Sequence, residues 1–532
     1  MPNLTVDSGS AHLVIPFSPG VSVREALESA GLAIRTGCRG NGACGLCLVQ
    51  VAAGDGGVPT KTESMILPPR QLAGGFRLAC QLLPNADLQI RIMNGATASA
   101  WRDLVPDCPY APAAPQPWTG NALGGGTCAL AVDLGTTQIS LSLWDLKHGQ
   151  RLYGRAGPNP QSCYGEDVVT RLMAATEAPE NAWQLARLPL QAVAEALRHL
   201  LEGDGLRPQE IGRVAVVGNT AMLTLLTGGD PQLLLQPDNW KRTFAIAVEP
   251  QTWVRTLGIH PQARVEMVAP VGGFIGSDLL AGVLATGLTK QPGSLLLDFG
   301  TNSEMALWDG ETLWVTSAAG GPAFEGCGMQ CGMPAGPGAI YRFTPQGDGG
   351  LDYRVLGESE ARGFCGSGLV DLIACLRDRG ELTRTGAFAT PQQRGGYAIL
   401  AEPAIGLTKR DVDIFQRAKA AIGAGIDALL SQARLRAAEL QRVCVAGVFG
   451  RNLQIGNAQR VGLLPEIPPE RVELCGNTAL AGCEWLLLSP AKTVELDGLR
   501  KRIAMVSLSQ IPDFDRRFLE NLYLQPRNGE GT

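Results

Sequence analysis

The sequence predicts an α/β multidomain chain in which a small N-terminal domain precedes two larger α/β halves related by duplication. Three observations predict it. The first is four cysteines, Cys38, Cys44 and Cys47 in a glycine-rich loop followed by Cys80. The second is an irregular stretch, rich in proline and glycine, between about Thr97 and Thr127. The third is a phrase that occurs twice, Leu130-Ala131-Val132-Asp133-Leu134-Gly135-Thr136-Thr137 and Leu295-Leu296-Leu297-Asp298-Phe299-Gly300-Thr301-Asn302. At 532 residues the chain exceeds one core, and about one domain per 100–200 residues gives roughly three units. The expected bounds are 1–95, a linker over 96–127, a first half over 128–292 and a second half over 293–532.

In the first unit, His12 to Phe17 reads as a strand, Val23 to Ala30 as a short helix and Leu48 to Ala52 as a strand leaving the cysteine loop. A loop wrapped around an inorganic core needs small residues so that backbone amides can face the sulfurs, and Thr36 to Cys47 is rich in glycine. The spacing, five residues in the first gap and two in the second with a distant fourth cysteine, resembles the 2Fe-2S ferredoxin ligand set on a β-grasp fold. Four thiolates also suit structural zinc, but zinc motifs usually pair cysteines two by two at both ends. The formal Gly40-x-Gly42-x-x-Gly45 dinucleotide fingerprint has no strand-loop-helix unit around it.

The stretch from Val105 to Pro117, then Gly124 to Gly126, reads as a tether, stiff first and flexible after, on which a ferredoxin domain can swing. Beyond it, Cys128 to Val132 and Ile139 to Trp144 predict a hairpin, Trp183 to Leu201 an amphipathic helix and Val214 to Val217 a strand. Each repeated phrase is an apolar strand ending in Asp-x-Gly-Thr and turning back into another strand. Such a turn suits phosphate: glycine admits close approach, amides and threonine hydroxyls donate, and the strand-end carboxylate can hold Mg2+ through its waters. Two of them, 165 residues apart, resemble the phosphate loops of the ribonuclease H-like ATPases, the actin, sugar kinase and heat-shock superfamily. ATP and Mg2+ are the cofactors this implies. Asp133 and Asp298 are the expected catalytic carboxylates; Gly135, Thr136, Thr137, Gly300, Thr301 and Asn302 face phosphate. Gly218 and Asn219 would connect near the cleft, Gly366, Ser367 and Gly368 would add amides at a helix start, and Gly447, Gly450 and Asn452 would meet adenosine.

A net charge of -5, well mixed, offers no basic stripe for nucleic acid. No export signal and no run of 18 apolar residues is present, so no membrane is expected, and scattered single cysteines fit a reducing cytoplasm. Four isolated histidines leave little material for histidine-based hydrolysis. Cys327 and Cys331, with Cys365 nearby, are at most a minor second redox or metal group lacking a fourth ligand. Phe514, Phe518, Leu519 and Leu522 share a helical stripe, so the last segment reads as a native docking helix rather than a protease tag.

A 2Fe-2S domain joined to this ATPase fold resembles the ATP-dependent reductive activators of corrinoid proteins. Asn159-Pro160-Gln161, Tyr164-Gly165-Glu166-Asp167, Gly218-Asn219-Thr220-Ala221-Met222, Asp298 to Glu304, Cys365-Gly366-Ser367-Gly368-Leu369 and Gln416 to Ile422 carry the likeness along nearly the whole chain. The resemblance implies one-electron reduction of a partner corrinoid protein from Co(II) to Co(I), with electrons from another protein or a small reductant. Plant-type ferredoxin clusters lie near about -400 mV, and a shortfall on the order of 100 mV costs roughly 2.3 kcal/mol for one electron, which ATP can supply. No cobalamin-ligating Asp-x-His-x-x-Gly occurs, so the corrinoid belongs to the partner. The best-known members carry a further middle domain, and with only about 50 residues between Cys80 and Asp133 none is expected here. The alternatives are a redox-gated small-molecule kinase, with Asp278 as its base, and a nucleotide-switched binding module that senses the cluster.

Overall fold

A computed structural model of the chain describes residues 1–7, 12–30, 32, 34, 40, 42, 45, 47–67, 69–93, 101–104, 106–112, 125–201, 206–326, 328–346, 350–390, 396–401 and 404–527. Five strands make the N-terminal sheet: β1 (Asn3–Asp7), β2 (His12–Pro16), β3 (Leu48–Ala53), β4 (Phe76–Leu78) and β5 (Leu88–Ile92), in the order β2-β1-β5-β3-β4. Alternation turns Leu4, Val6, Val49, Leu88 and Ile90 into one core with Val23, Ala26 and Leu27 of the helix Val23–Ser29. Ser22 and Glu25 form the capping box that starts this helix. This is the β-grasp unit expected from the sequence.

The first half holds β6 (Arg102–Asp103), β7 (Cys128–Leu134), β8 (Gln138–Asp145), β9 (Gln150–Pro158), β10 (Ile211–Gly218) and β11 (Arg264–Met267), ordered β11-β10-β7-β8-β9-β6. In the second half β12 (Ser294–Asp298), β13 (Ser303–Trp308) and β14 (Leu313–Ala318) precede a small sheet, β15 (Ala339–Pro345), β16 (Leu351–Val355) and β17 (Gly363–Phe364), and a pair, β18 (Tyr397–Leu400) and β19 (Ile405–Leu407). Strands β20 (Arg442–Ala446), β21 (Val472–Gly476) and β22 (Ile503–Met505) complete the main sheet as β21-β20-β12-β13-β14-β22. In each half the strand ending in Asp-x-Gly-Thr pairs antiparallel with the strand it turns into and parallel with a later crossover strand. The duplication therefore extends from one phrase to a whole sheet.

The pleat sorts side chains between layers. Leu130 and Val132 of β7 face a core that includes the helices Val168–Glu177 and Pro179–Leu201, while Ala129 and Ala131 face the middle of the molecule. In β12, Leu295 and Leu297 face the helices Gly366–Asp378 and Lys409–Ala433, and Leu296 faces inward. The middle layer is two helices, Ser277–Thr286 and Thr478–Leu488, buried along nearly their whole length between the two sheets. They pack on each other through small residues. A Cβ on Gly482 would lie 2.0 Å from Ala281 O, and one on Gly282 would lie 2.8 Å from Thr478 Oγ1, so only glycine permits this approach.

Part of the expected tether is fixed in place. Arg102–Asp103 adds β6 to the edge of the first sheet beside β9. Cys108 is buried, Tyr110 OH bonds Glu473 and accepts from Arg442 Nη2 at 2.7 Å, and Trp485 Nε1 donates to Tyr110 O at 2.8 Å. Residues 101–104 and 106–112 thus bridge both halves instead of hanging free, because an aromatic ring among prolines found a charged pair to bond. Gly124 and residues 113–117 lie outside the described residues.

The C-terminal segment is docked, but not through the expected stripe alone. Phe514 and Phe518 are half-buried while Leu519 is exposed. Its backbone is held by side chains of the second half: Gln416 Nε2 donates to Leu522 O at 2.8 Å, Lys419 Nζ to Asn521 O at 2.6 Å and Arg377 Nε to Leu524 O at 2.9 Å. Burial pulls the Lys419 ammonium down to about 7 from 10.5, with Arg527 adding to it.

Two outcomes are expected. Gly482→Leu forces the central helices apart and lowers unfolding free energy by on the order of 3 kcal/mol, read by chemical denaturation. For Lys419, the unfolded chain binds more protons than the folded one between the two pKa values, so its contribution to stability rises with pH through that window. Denaturation at several pH values from about 7 to 10 should show wild type gaining on Lys419→Met as pH rises.

Candidate functional site

In the N-terminal domain Cys47 is buried at the entry to β3, and Ala79 N donates to Cys47 O at 2.8 Å, which sets the neighbouring Cys80 beside it. Cys80 is half-buried, and Gln81 Nε2 reaches both Cys80 Sγ at 3.7 Å and Gly40 O at 3.0 Å. Gly40, Gly42 and Gly45 have φ of 97°, 77° and 73°, the left-handed conformation a tight amide-lined loop requires. Cys38 and Cys44 lie outside the described residues. The described thiols and turns fit a thiolate-held cluster.

Sequence reasoning missed the support beneath Cys80. Glu63 and Arg77 are buried together, with Arg77 Nε and Nη2 each 2.9 Å from a Glu63 oxygen. Thr60 N and Leu78 N donate to the same carboxylate at 2.8 and 3.0 Å. Burial raises the Glu63 pKa, and Arg77 with these amides more than offsets it, holding the carboxyl below its usual range. The bond to Leu78 fixes the strand two residues before Cys80.

Between the two halves lies a cavity of about 240 Å³. It brings together Asp133, Gly135, Thr136, Thr137 and Asn219 from the first half with Asp298, Gly300, Thr301, Asn302, Gly366, Ser367, Gly447 and Asn452 from the second. The two Asp-x-Gly-Thr turns meet, Thr137 Oγ1 standing 3.0 Å from Thr301 Oγ1. Three expected residues do not line it. Gly218 packs against Leu134, Gly368 against Ile340 and Gly450 against Val445, each where a strand or helix passes close behind the wall.

Two helix-capping asparagines hold the first turn. Asn219 Oδ1 accepts from Met222 N while its Nδ2 donates to Thr136 Oγ1 at 2.8 Å. Asn477 Oδ1 accepts from Leu480 N while its Nδ2 donates to Asp133 Oδ2 at 2.8 Å. The second was missed, although Gly218-Asn219-Thr220-Ala221 is repeated as Gly476-Asn477-Thr478-Ala479 in the text. Arg102, from the stretch taken as tether, also lines the cavity and donates to Gln138 Oε1 at 2.7 Å.

The cavity floor is acidic. Asp133, Asp278, Asp298 and Glu304 all line it. Burial, then the Asp298 and Asp133 charges, pushes Asp278 up to about 8; burial pushes Asp133 up to about 7 despite its bond from Asn477, and Asp298 up to about 6. Glu304 is raised well above its usual value by burial and by Asp278, which it faces. Asp278 does sit in a helix's first turn, with Leu279 N on its Oδ1, yet it also belongs to this cluster. The floor offers carboxylate oxygens from Asp133 and Glu304, which are buried, and from Asp278 and Asp298, which are half-buried, the donor type a hard divalent cation takes. The opposite wall is aromatic: Phe324 and Phe449 are 4.9 Å apart and Phe299 and Phe449 5.1 Å. Cys365 lines the cavity, while Cys331 Sγ is turned 3.9 Å from Ala404 O, so these two are not a pair; Cys327 lies outside the described residues.

A thiolate cluster domain joined to a duplicated phosphate-loop cleft defines a class: iron-sulfur proteins coupled to a nucleotide-driven ATPase domain. Comparison with known proteins sharpens this. Residues 7–85 match the 2Fe-2S iron-sulfur cluster binding domain, 128–291 the RACo middle region and 293–530 the C-terminal domain of RACo, the ASKHA domain. The corrinoid activation enzyme RamQ of Eubacterium limosum is 30% identical over 420 residues, 74% of this chain and 69% of that one. The [Co(II) methylated amine-specific corrinoid protein] reductase of Methanosarcina barkeri is 28% identical, covering 70% and 72%. A solved reductive activator for corrinoid, iron-sulfur protein superimposes with a TM-score of 0.69 at 26% identity, covering 99% of both chains. The chain belongs to the family of reductive activators of corrinoid proteins. These matches also correct one expectation: the family's middle region is present, and it is the first α/β half at 128–291 rather than a domain lost between Cys80 and Asp133.

Arg77→Ala should strand the Glu63 carboxylate, cost about 3–5 kcal/mol and loosen the strand before Cys80. Loss of visible cluster absorbance together with a lower unfolding midpoint checks it.

Proposed function

We propose that this protein reduces the Co(II) corrinoid of a partner protein to Co(I), using ATP hydrolysis to drive one electron uphill from its own 2Fe-2S domain. The observation that carries this reading is the meeting of both Asp-x-Gly-Thr turns over a floor of four carboxylates, in a chain whose residues 7–85 match a 2Fe-2S cluster binding domain.

Each part of the chain has a task. Cys47 and Cys80, with Cys38 and Cys44, hold the cluster, which supplies single electrons. Thr136, Thr137 and Thr301 offer hydroxyls to the nucleotide phosphates, and Gly135, Gly300, Gly366 and Ser367 line the same space. Asp133 and Asp298 hold Mg2+, directly or through its waters, and Asp278 and Glu304 add negative charge behind them. Phe449 and Val448 offer an apolar wall to the base. Because the halves are joined face to face through the two central helices, a nucleotide bound to turns from both halves favours their closed arrangement. That closed arrangement grips the oxidised corrinoid partner in a form easier to reduce, and hydrolysis releases it. The electrons enter from another protein or a small reductant.

The test mixes reduced protein, ATP with Mg2+ and a corrinoid protein in the Co(II) state, and follows the visible spectrum for Co(I). Cys80→Ser should abolish cobalt reduction while ATP hydrolysis continues; Asp298→Asn should stop hydrolysis with the cluster spectrum intact. Absence of Co(I) with every cognate corrinoid protein tried removes the proposal.

A further inference from the structure

Glu325 lines the cleft and belongs neither to the motifs nor to the carboxylate floor. It ends the single helical turn Pro322–Glu325 after β14. Its Oε2 accepts from Thr137 Oγ1 at 2.7 Å and its Oε1 from Thr301 Oγ1 at 3.0 Å. One carboxylate therefore takes, from both halves at once, the hydroxyls that phosphate oxygens need. An anion in this position stands where a phosphoryl group's oxygens would be bonded.

A phosphoryl group entering between the two turns must claim these hydroxyls, and the carboxylate it displaces stays beside it, with the two acceptor positions the hydroxyls had filled. The other acids are differently employed. Asp133 and Asp298 are the carboxylates proposed to hold Mg2+, with Asp278 and Glu304 behind them, and a metal's charge there would make a carboxylate a poor proton acceptor. Glu325 stands on the threonine side instead. Burial raises its pKa, and the Glu166 carboxylate adds to this, while the bonds from Thr137 and Thr301 and the Arg171 guanidinium oppose it. A general base serves best when its pKa lies close to working pH. Arg171 is itself buried, donates to Thr136 O at 2.7 Å and so ties this group to the first phosphate turn.

Resting on the nucleotide reading above, we propose that Glu325 is the general base of nucleotide hydrolysis, released for that role when the γ-phosphate takes Thr137 and Thr301. Its carboxylate accepts a proton from water as the water oxygen bonds the γ-phosphorus. The bond from that phosphorus to the β-γ bridging oxygen breaks, ADP leaves with the electron pair, and the proton passes from Glu325 to solvent as phosphate departs.

The test uses the full cluster-loaded chain, with ATP binding measured by equilibrium dialysis and hydrolysis by phosphate release. Glu325→Gln keeps the shape and removes the base, so hydrolysis should fall about 10²–10³-fold. ATP should bind as tightly as to wild type or several-fold tighter, because a charge competing for the same hydroxyls is gone. Glu325→Asp should recover part of the rate. Hydrolysis by Glu325→Gln within about threefold of wild type overturns the assignment. So does parallel loss of binding and hydrolysis, which would make Glu325 a clamp on the threonines. If wild type itself binds no ATP, the nucleotide reading fails and this assignment with it; normal binding in both proteins isolates the failure to Glu325.

Discussion

The backbone contact between the two central helices sets the geometry on which everything else depends. Helices normally sit 8–10 Å apart, the distance decided by the side chains between them. Here Gly482 lies against Ala281, and Gly282 against Thr478, so the two sheets are drawn close to a shared middle layer. The strands of each sheet end in a phosphate turn, and the turns reach each other only because the layer between them is thin. The same helices carry part of the site: Asn477 caps one and bonds Asp133 of the opposite half, and Asp278 stands in the first turn of the other.

The cleft combines two opposed electrostatic sides. On one, four carboxylates, two buried and two half-buried, stand together with too little positive charge, which favours their protonation. On the other, Thr137 and Thr301 are occupied by Glu325. In the function proposed above, a nucleotide with Mg2+ would answer both sides at once, the cation relieving the acids and the phosphate claiming the hydroxyls. Both changes would involve turns from both halves, which under that proposal gives bound nucleotide a differential hold on the closed arrangement.

Much of this was legible in the sequence because some chemistry demands particular residues at particular spacing. Asp-x-Gly-Thr announced both turns, and their repetition announced two similar sheets. The cysteine spacing announced the cluster domain. Residues whose role is set by distant partners were not legible. Glu63 looks like an ordinary capping residue until Arg77 is seen against it. Tyr110 sits in a proline-rich stretch that reads as spacer, and its partners Arg442 and Glu473 come more than 300 positions later. Gly218, Gly368 and Gly450 resemble phosphate-loop glycines, yet each serves close packing, a distinction that rests on what lies opposite.

The sequence by itself determined the iron-sulfur domain, the duplication and the place of the strand-end carboxylates, since these rest on local patterns of donors, small residues and apolar runs. Only the tertiary structure decided which acids gather, which glycines face the cleft and that Glu325 spans both threonines. Charge repulsion, close approach and hydrogen bonding act through space over a few ångströms, and positions 137, 301 and 325 become neighbours only after two sheets have closed on the helices between them.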